Sequence, residues 1–92
     1  MRKRTYPELA RWFLALSHPM RLRILDALLS EDRCVADLQI VLGKSQPYVS
    51  QQLHVLRACG MLKCRQMGQF RFYCLVDPLA KRVLGMLRKQ PW

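Results

Sequence analysis

At 92 residues the chain has material for one domain and only a modest core, so self-association is the simplest source of added stability. Sixteen Lys and Arg against six Asp and Glu give a formal charge of +10, far more than solubility requires and suited to a polyanion, most simply nucleic acid. The absence of any run of about 18 apolar residues or a signal-peptide pattern excludes a transmembrane helix and argues for the cytoplasm, where Cys34, Cys59, Cys64 and Cys74 stay reduced.

In chain order, a basic arm over residues 1–4 precedes a first helix opened by Thr5 and Glu8 at capping-box spacing. Leu9, Trp12, Phe13 and Leu16 fall on one stripe of that helix, and two large aromatics there call for a substantial packing partner. Ser17-His18-Pro19 ends it and starts a second helix, with His18 in a structural corner role. Leu22, Ile24, Leu25, Leu28 and Leu29 make that second helix apolar on more than one side, the mark of a central core element.

After the corner Ser30-Glu31-Asp32, a third helix carries Val35, Leu38 and Leu42 inward, with Cys34 at the position where a capping Ser or Thr is expected. Gly43-Lys44 breaks it. A fourth helix follows with Ser45 as N-cap and Pro47 in its first turn, where a missing N–H costs little. Its inner stripe is Val49, Leu53 and Leu56, and its outer face carries Pro47, Gln51 and His54 flanked by Tyr48 and Ser50. Before Arg57 that face bears no full charge, only amide, hydroxyl, phenol and imidazole groups. Such groups can bond base edges in a major groove, or simply form the wet side of an amphipathic helix.

Two strand-like runs, 61–66 and 70–76, are separated by Met67-Gly68-Gln69, which reads as a β-hairpin with Gly68 supplying the positive φ of its turn. Lys63, Arg65 and Arg71 flank its tip, placed for phosphates or a minor groove. Asp77-Pro78 opens a last helix with Leu79, Val83, Met86 and Leu87 on one stripe and Arg88-Lys89 at its C-terminal dipole. The fold class is therefore mainly α with a small β-hairpin, in the order α-α-α-α-β-β-α, a winged helix-turn-helix in a single domain over residues 1–92.

Three segments, LSHPMRLRILDALL, CVADL and SQPYVSQQLHVLRACGMLKCRQMGQFRFYCL, together resemble the ArsR/SmtB-type winged-helix repressors of bacteria and archaea. The resemblance spans most of the chain, about residues 14–75. It implies a homodimer that binds double-stranded DNA at a palindromic operator, with dimerisation through 5–16 and 78–89. The interface it implies comprises Leu9, Trp12, Phe13, Leu16, Leu79, Val83, Met86 and Leu87. Base-reading positions fall on Gln46, Pro47, Tyr48, Ser50 and Gln51, and phosphate contacts on Lys44, Ser45, His54 and the wing cations Lys63, Arg65 and Arg71.

The sensing function departs from the family's best-known sites. Of the thiol pair in the third helix only Cys34 is present, with Ala36 at the second position, and residues 78–92 lack the His and carboxylate ligands of the zinc-type site. No metal site is assigned. The candidate sensing thiols are Cys34, Cys59, Cys64 and Cys74, acting through oxidation or a thiophilic metal or metalloid. Cys34 leads because a helix N-terminus stabilises a thiolate, although Glu31 and Asp32 oppose it. Cys59 and Cys74 read first as small buried hydrophobes.

Two other classes make different chemical demands. A sequence-tolerant architectural DNA-binding protein needs the charge but not the polar helix face. An enzyme needs paired carboxylates, a phosphate loop or a nucleophile with its base, and none of these is present in a supporting context.

Overall fold

The computed structural model describes residues 3–91; Met1, Arg2 and Trp92 lie outside the described residues, and with them half of the expected basic arm and the outer ends of the 1–92 domain. The elements run α1 (Tyr6–Leu16), α2 (Pro19–Ser30), β1 (Arg33–Cys34), α3 (Val35–Leu42), α4 (Gln46–Ala58), β2 (Leu62–Met67), β3 (Phe70–Leu75) and α5 (Pro78–Arg88). All five helices are present where the periodicity places them.

Local chemistry fixes most helix starts. Thr5 accepts from the Glu8 amide at 3.3 Å, His18 Nδ1 from the Met20 amide at 3.1 Å, and Ser45 from the Tyr48 amide at 3.4 Å. Asp77 accepts from the Leu79 amide at 3.0 Å. Each satisfies an amide that the helix itself leaves unpaired. Cys34 is the N-cap of α3 but makes no side-chain cap bond, as a thiol is a weak acceptor. Gly43 closes α3 at φ 65, the left-handed conformation that lets the chain turn sharply into α4.

The sheet holds one strand more than the sequence reading anticipates. β1 pairs antiparallel with β3 through Arg33↔Tyr73 and Cys34↔Phe72, so the hairpin becomes a three-stranded sheet of order β1-β3-β2. Two residues are too few to show an alternating pattern, and β1 exists only because the edge of β3 offers it hydrogen bonds. The hairpin itself is regular from Leu62↔Leu75 to Met67↔Phe70, with Gly68 at φ 64 in its turn.

One core joins the layers. Ile24, Leu25 and Leu28 of α2 meet Leu38 and Leu42 of α3, Val49, Leu53 and Leu56 of α4, Met61 and Leu62 before and in β2, and Leu84 of α5. Leu22 is an exception to the all-round burial expected of α2, since it is 37% exposed. Trp12 is also differently placed. The sequence reading puts it on the surface that meets a second copy, but it is 2% exposed and its indole donates to Asp77 Oδ2 at 2.7 Å. A buried indole N–H needs an acceptor, and the cap of α5 supplies one inside the protomer.

Candidate nucleic-acid interface

α3 and α4 form the helix-turn-helix, and burial of Val49, Leu53 and Leu56 turns the opposite side of α4 outward. Gln46, Pro47, Gln51 and His54 are exposed, and Tyr48 and Ser50 half-buried. The polar groups at the start of α4 are already ordered. Gln46 Nε2 donates to Ser50 Oγ at 2.7 Å, one turn along the helix, and Lys44 Nζ lies 5.4 Å from the centroid of the Tyr48 ring. Lys44 and Ser45 are exposed in the turn ahead of α4.

Among the wing cations, Lys63 and Arg71 are exposed, Arg71 lying opposite Gln66 in the hairpin. Arg65 is placed differently: it is exposed, but its guanidinium donates to Asp32 beside β1. The Cys74 thiol donates to the same carboxylate at 3.2 Å, and this bond, with the help of Arg65, holds the Asp32 carboxyl below its ordinary value. Arg65 thus ties the hairpin to β1.

The four thiols do not form one cluster. Cys59 follows α4 and donates to Leu56 O at 3.3 Å. Cys64 lies opposite Tyr73 and Cys74 opposite Lys63, so these two point to opposite faces of the sheet. Cys34 lies opposite Phe72 and therefore shares the face of Cys74. Burial pushes the Cys59 and Cys74 thiols up, with Asp32 adding to the effect at Cys74. Among the described residues no three His, Cys, Asp or Glu side chains are grouped to hold a metal ion.

Of the residues expected at a dimer surface, Phe13, Met86 and Leu87 are 63%, 62% and 40% exposed. Leu16, Leu79 and Val83 pack partly on the protomer's own core, and Leu9 is half-buried. Tyr6 and Leu14 of α1, which the sequence reading left out, extend the exposed apolar stripe at 89% and 67%. The sequence reading also missed Gln52. It is 8% exposed, on the buried side of α4 one turn from Val49, and it accepts a hydrogen bond from Arg21 at 3.1 Å. Its signal was there to be found, a polar residue at an i+3 position of an otherwise apolar stripe.

Residues 18–63 match the model of the family described as bacterial regulatory protein, arsR family. The chain is 39% identical over 70 residues to a transcriptional repressor SmtB homolog of Synechocystis sp., covering 76% of this chain and 53% of that relative, so it spans about half of the latter's length. It is also 39% identical over 85 residues to a probable mercury resistance operon repressor of Streptomyces lividans, covering 91% of this chain and 68% of the relative. The structure of HlyU from Vibrio cholerae superposes with a TM-score of 0.87 at 28% identity, covering 96% of each chain. With the family match spanning α2 to the end of the helix-turn-helix and the hairpin wing following it directly, the chain belongs to the arsR family of bacterial regulatory proteins.

Proposed function

We propose that the protein is a transcriptional repressor that binds a palindromic operator as a homodimer in the cytoplasm, each protomer laying α4 in a major groove. The observation that carries this reading is the outer face of α4, exposed yet free of full charge from Gln46 to His54, in a chain of net charge +10. Charge alone binds any duplex, whereas an amide and hydroxyl face reads base edges. Gln46, Pro47, Tyr48, Ser50 and Gln51 take the base-reading role. Lys44, Ser45, His54, Lys63 and Arg71 hold phosphates, and Arg65 does so only by leaving Asp32. Two-fold symmetry places the half-sites about 34–36 Å apart, one turn of duplex.

The test is a titration of reduced protein against the DNA upstream of its own gene and a scrambled duplex of equal length, at physiological salt. A preference of about a thousandfold or more is expected; equal affinities would instead favour a sequence-tolerant architectural protein. Gln51→Ala should then weaken operator binding by roughly tenfold to a hundredfold while leaving scrambled DNA unaffected, because a bidentate base contact contributes about 1–3 kcal/mol of discrimination.

The sensing step in this reading runs through Cys34, half-buried at the N-terminus of α3 immediately ahead of the helix-turn-helix. Cys74 lies on the same sheet face, two residues along β3 from Phe72, the register partner of Cys34. Oxidation or a thiophilic metal at Cys34 would disturb the β1 and α3 junction and so the seat of α4. Cys34→Ser is expected to bind the operator as the wild type does but to stay bound when diamide or mercuric ion releases the wild type. Release of both proteins at the same dose would sink the role of Cys34.

A further inference from the structure

We infer that Arg21 is a positioning residue that, through Gln52, holds the recognition helix α4 at a fixed angle to α1. The inference rests on the proposed roles of α4 in reading DNA and of α1 in the dimer. Arg21 lies in the first turns of α2 and is half-buried. Its Nε donates to Ala15 O at 2.7 Å and its Nη2 to Leu14 O at 3.3 Å, so its charge sits on the C-terminal carbonyls of α1. The remaining arm of the same guanidinium, Nη1, donates to Gln52 Oε1 on α4 at 3.1 Å. One rigid planar group thus spans two helices, which a lysine ammonium cannot do with the same geometry.

The bridge stands where packing is thin. A groove of about 340 Å³ separates α1 from α4, with Leu14 and Ala15 on one wall and Val55 and Ala58 on the other. The inner residues of α4, Val49, Leu53 and Leu56, hold that helix on the core through apolar contact, which has no preferred direction. Gln52, only 8% exposed, is the polar member of that inner face, and its bond to Arg21 is directional. In a two-fold dimer built on α1, any rotation of α4 relative to α1 occurs in both protomers. The separation of the two recognition helices then changes from both sides, so the bridge determines how strictly half-site spacing is enforced.

The experiment compares wild type, Gln52→Met and Arg21→Lys on three duplexes: one selected by the wild type from a random pool, the same with one base pair inserted between half-sites, and a scrambled one. Methionine at 52 keeps the volume and apolar packing of the core, so thermal stability reports whether folding is intact. For Gln52→Met the expected results are a cooperative melt, lowered by at most about 10 °C through loss of the bond to Arg21, and unchanged affinity for scrambled DNA. Its affinity for the selected duplex should fall about tenfold, as expected when α4 without the bridge holds the reading angle about a tenth of the time, with a smaller additional loss on insertion than the wild type shows. Arg21→Lys should show the same loss of spacing discrimination. If both variants keep the wild-type affinity and spacing penalty within threefold, or lose affinity equally on all three duplexes, the positioning role is overturned. If the wild type itself fails to enrich any duplex or to prefer it over scrambled DNA, the DNA-reading proposal fails, and this inference with it.

Discussion

Asp77→Ala is expected to destabilise the protein by about 3 kcal/mol, because one buried carboxylate serves three elements at once. Asp77 is 4% exposed. Its Oδ1 accepts the Leu79 amide at 3.0 Å and so caps α5, and its Oδ2 accepts the Trp12 indole of α1 at 2.7 Å. Arg4, ahead of α1, reaches both oxygens at 3.1 Å. Loss of a helix N-cap costs about 1 kcal/mol, and a buried indole N–H left without an acceptor costs about 1–3 kcal/mol more. Trp12→Phe removes the donor and leaves the carboxylate with Arg4 and the α5 cap, so it should cost less. The double variant should cost less than the two singles added, since each single already breaks the same bond. Urea denaturation at one fixed protomer concentration measures all three, the fixed concentration being required because association contributes to apparent stability. A loss below about 1 kcal/mol for Asp77→Ala would mean that the α1–Asp77–α5 junction is not a stability element.

That junction also marks the limit of what periodicity could reveal. Leu9, Trp12, Phe13 and Leu16 share a stripe in sequence, and a stripe gives no sign of where the protomer's own core ends and an outer surface begins. The division between buried Trp12 and exposed Phe13 depends on Asp77, some 65 residues away, arriving beneath the indole. The helices were legible because each has a local start signal and a repeating apolar face, as Ser45 with Val49, Leu53 and Leu56 illustrates. β1 was not, since a two-residue strand is defined by its partner rather than by its own pattern. The basic wing was legible as composition, but the pairing of Arg65 with Asp32 was not, because the two are brought together only by the registers of β1 and β2 on the shared strand β3. Gln52 was legible in principle, as a polar residue interrupting the apolar stripe of α4 one turn after Val49.

Phe13→Asp is expected to convert the proposed dimer to a monomer and, with it, to reduce operator affinity by about a hundredfold or more. Of the ten large apolar residues exposed among the described ones, five lie on the first and last helices, Tyr6, Phe13 and Leu14 on α1 and Met86 and Leu87 on α5, while Leu22, Ile40, Val41, Met67 and Phe70 lie on α2, α3 and the wing. A chain this small and this highly charged gains little from leaving five large apolar side chains in water unless another surface covers them. In a two-fold assembly a single substitution enters the interface twice, so two carboxylates would be desolvated there without partners. Phe13 packs edge-on against Trp12, with ring centroids 5.1 Å apart, but is 63% exposed, so the protomer should keep its fold. Binding to the operator falls because each half-site must then be bound independently, without the effective concentration that the second recognition helix gains from being tethered to the first. Sedimentation of the variant should give a species near 10.9 kDa with a helical circular dichroism spectrum like that of the wild type. Affinity for scrambled DNA should fall far less than affinity for the operator, since one added negative charge removes little of the phosphate attraction. A variant that still sediments as a dimer would place the self-association surface elsewhere, and a monomer that kept wild-type operator affinity would show that one recognition helix and one wing suffice.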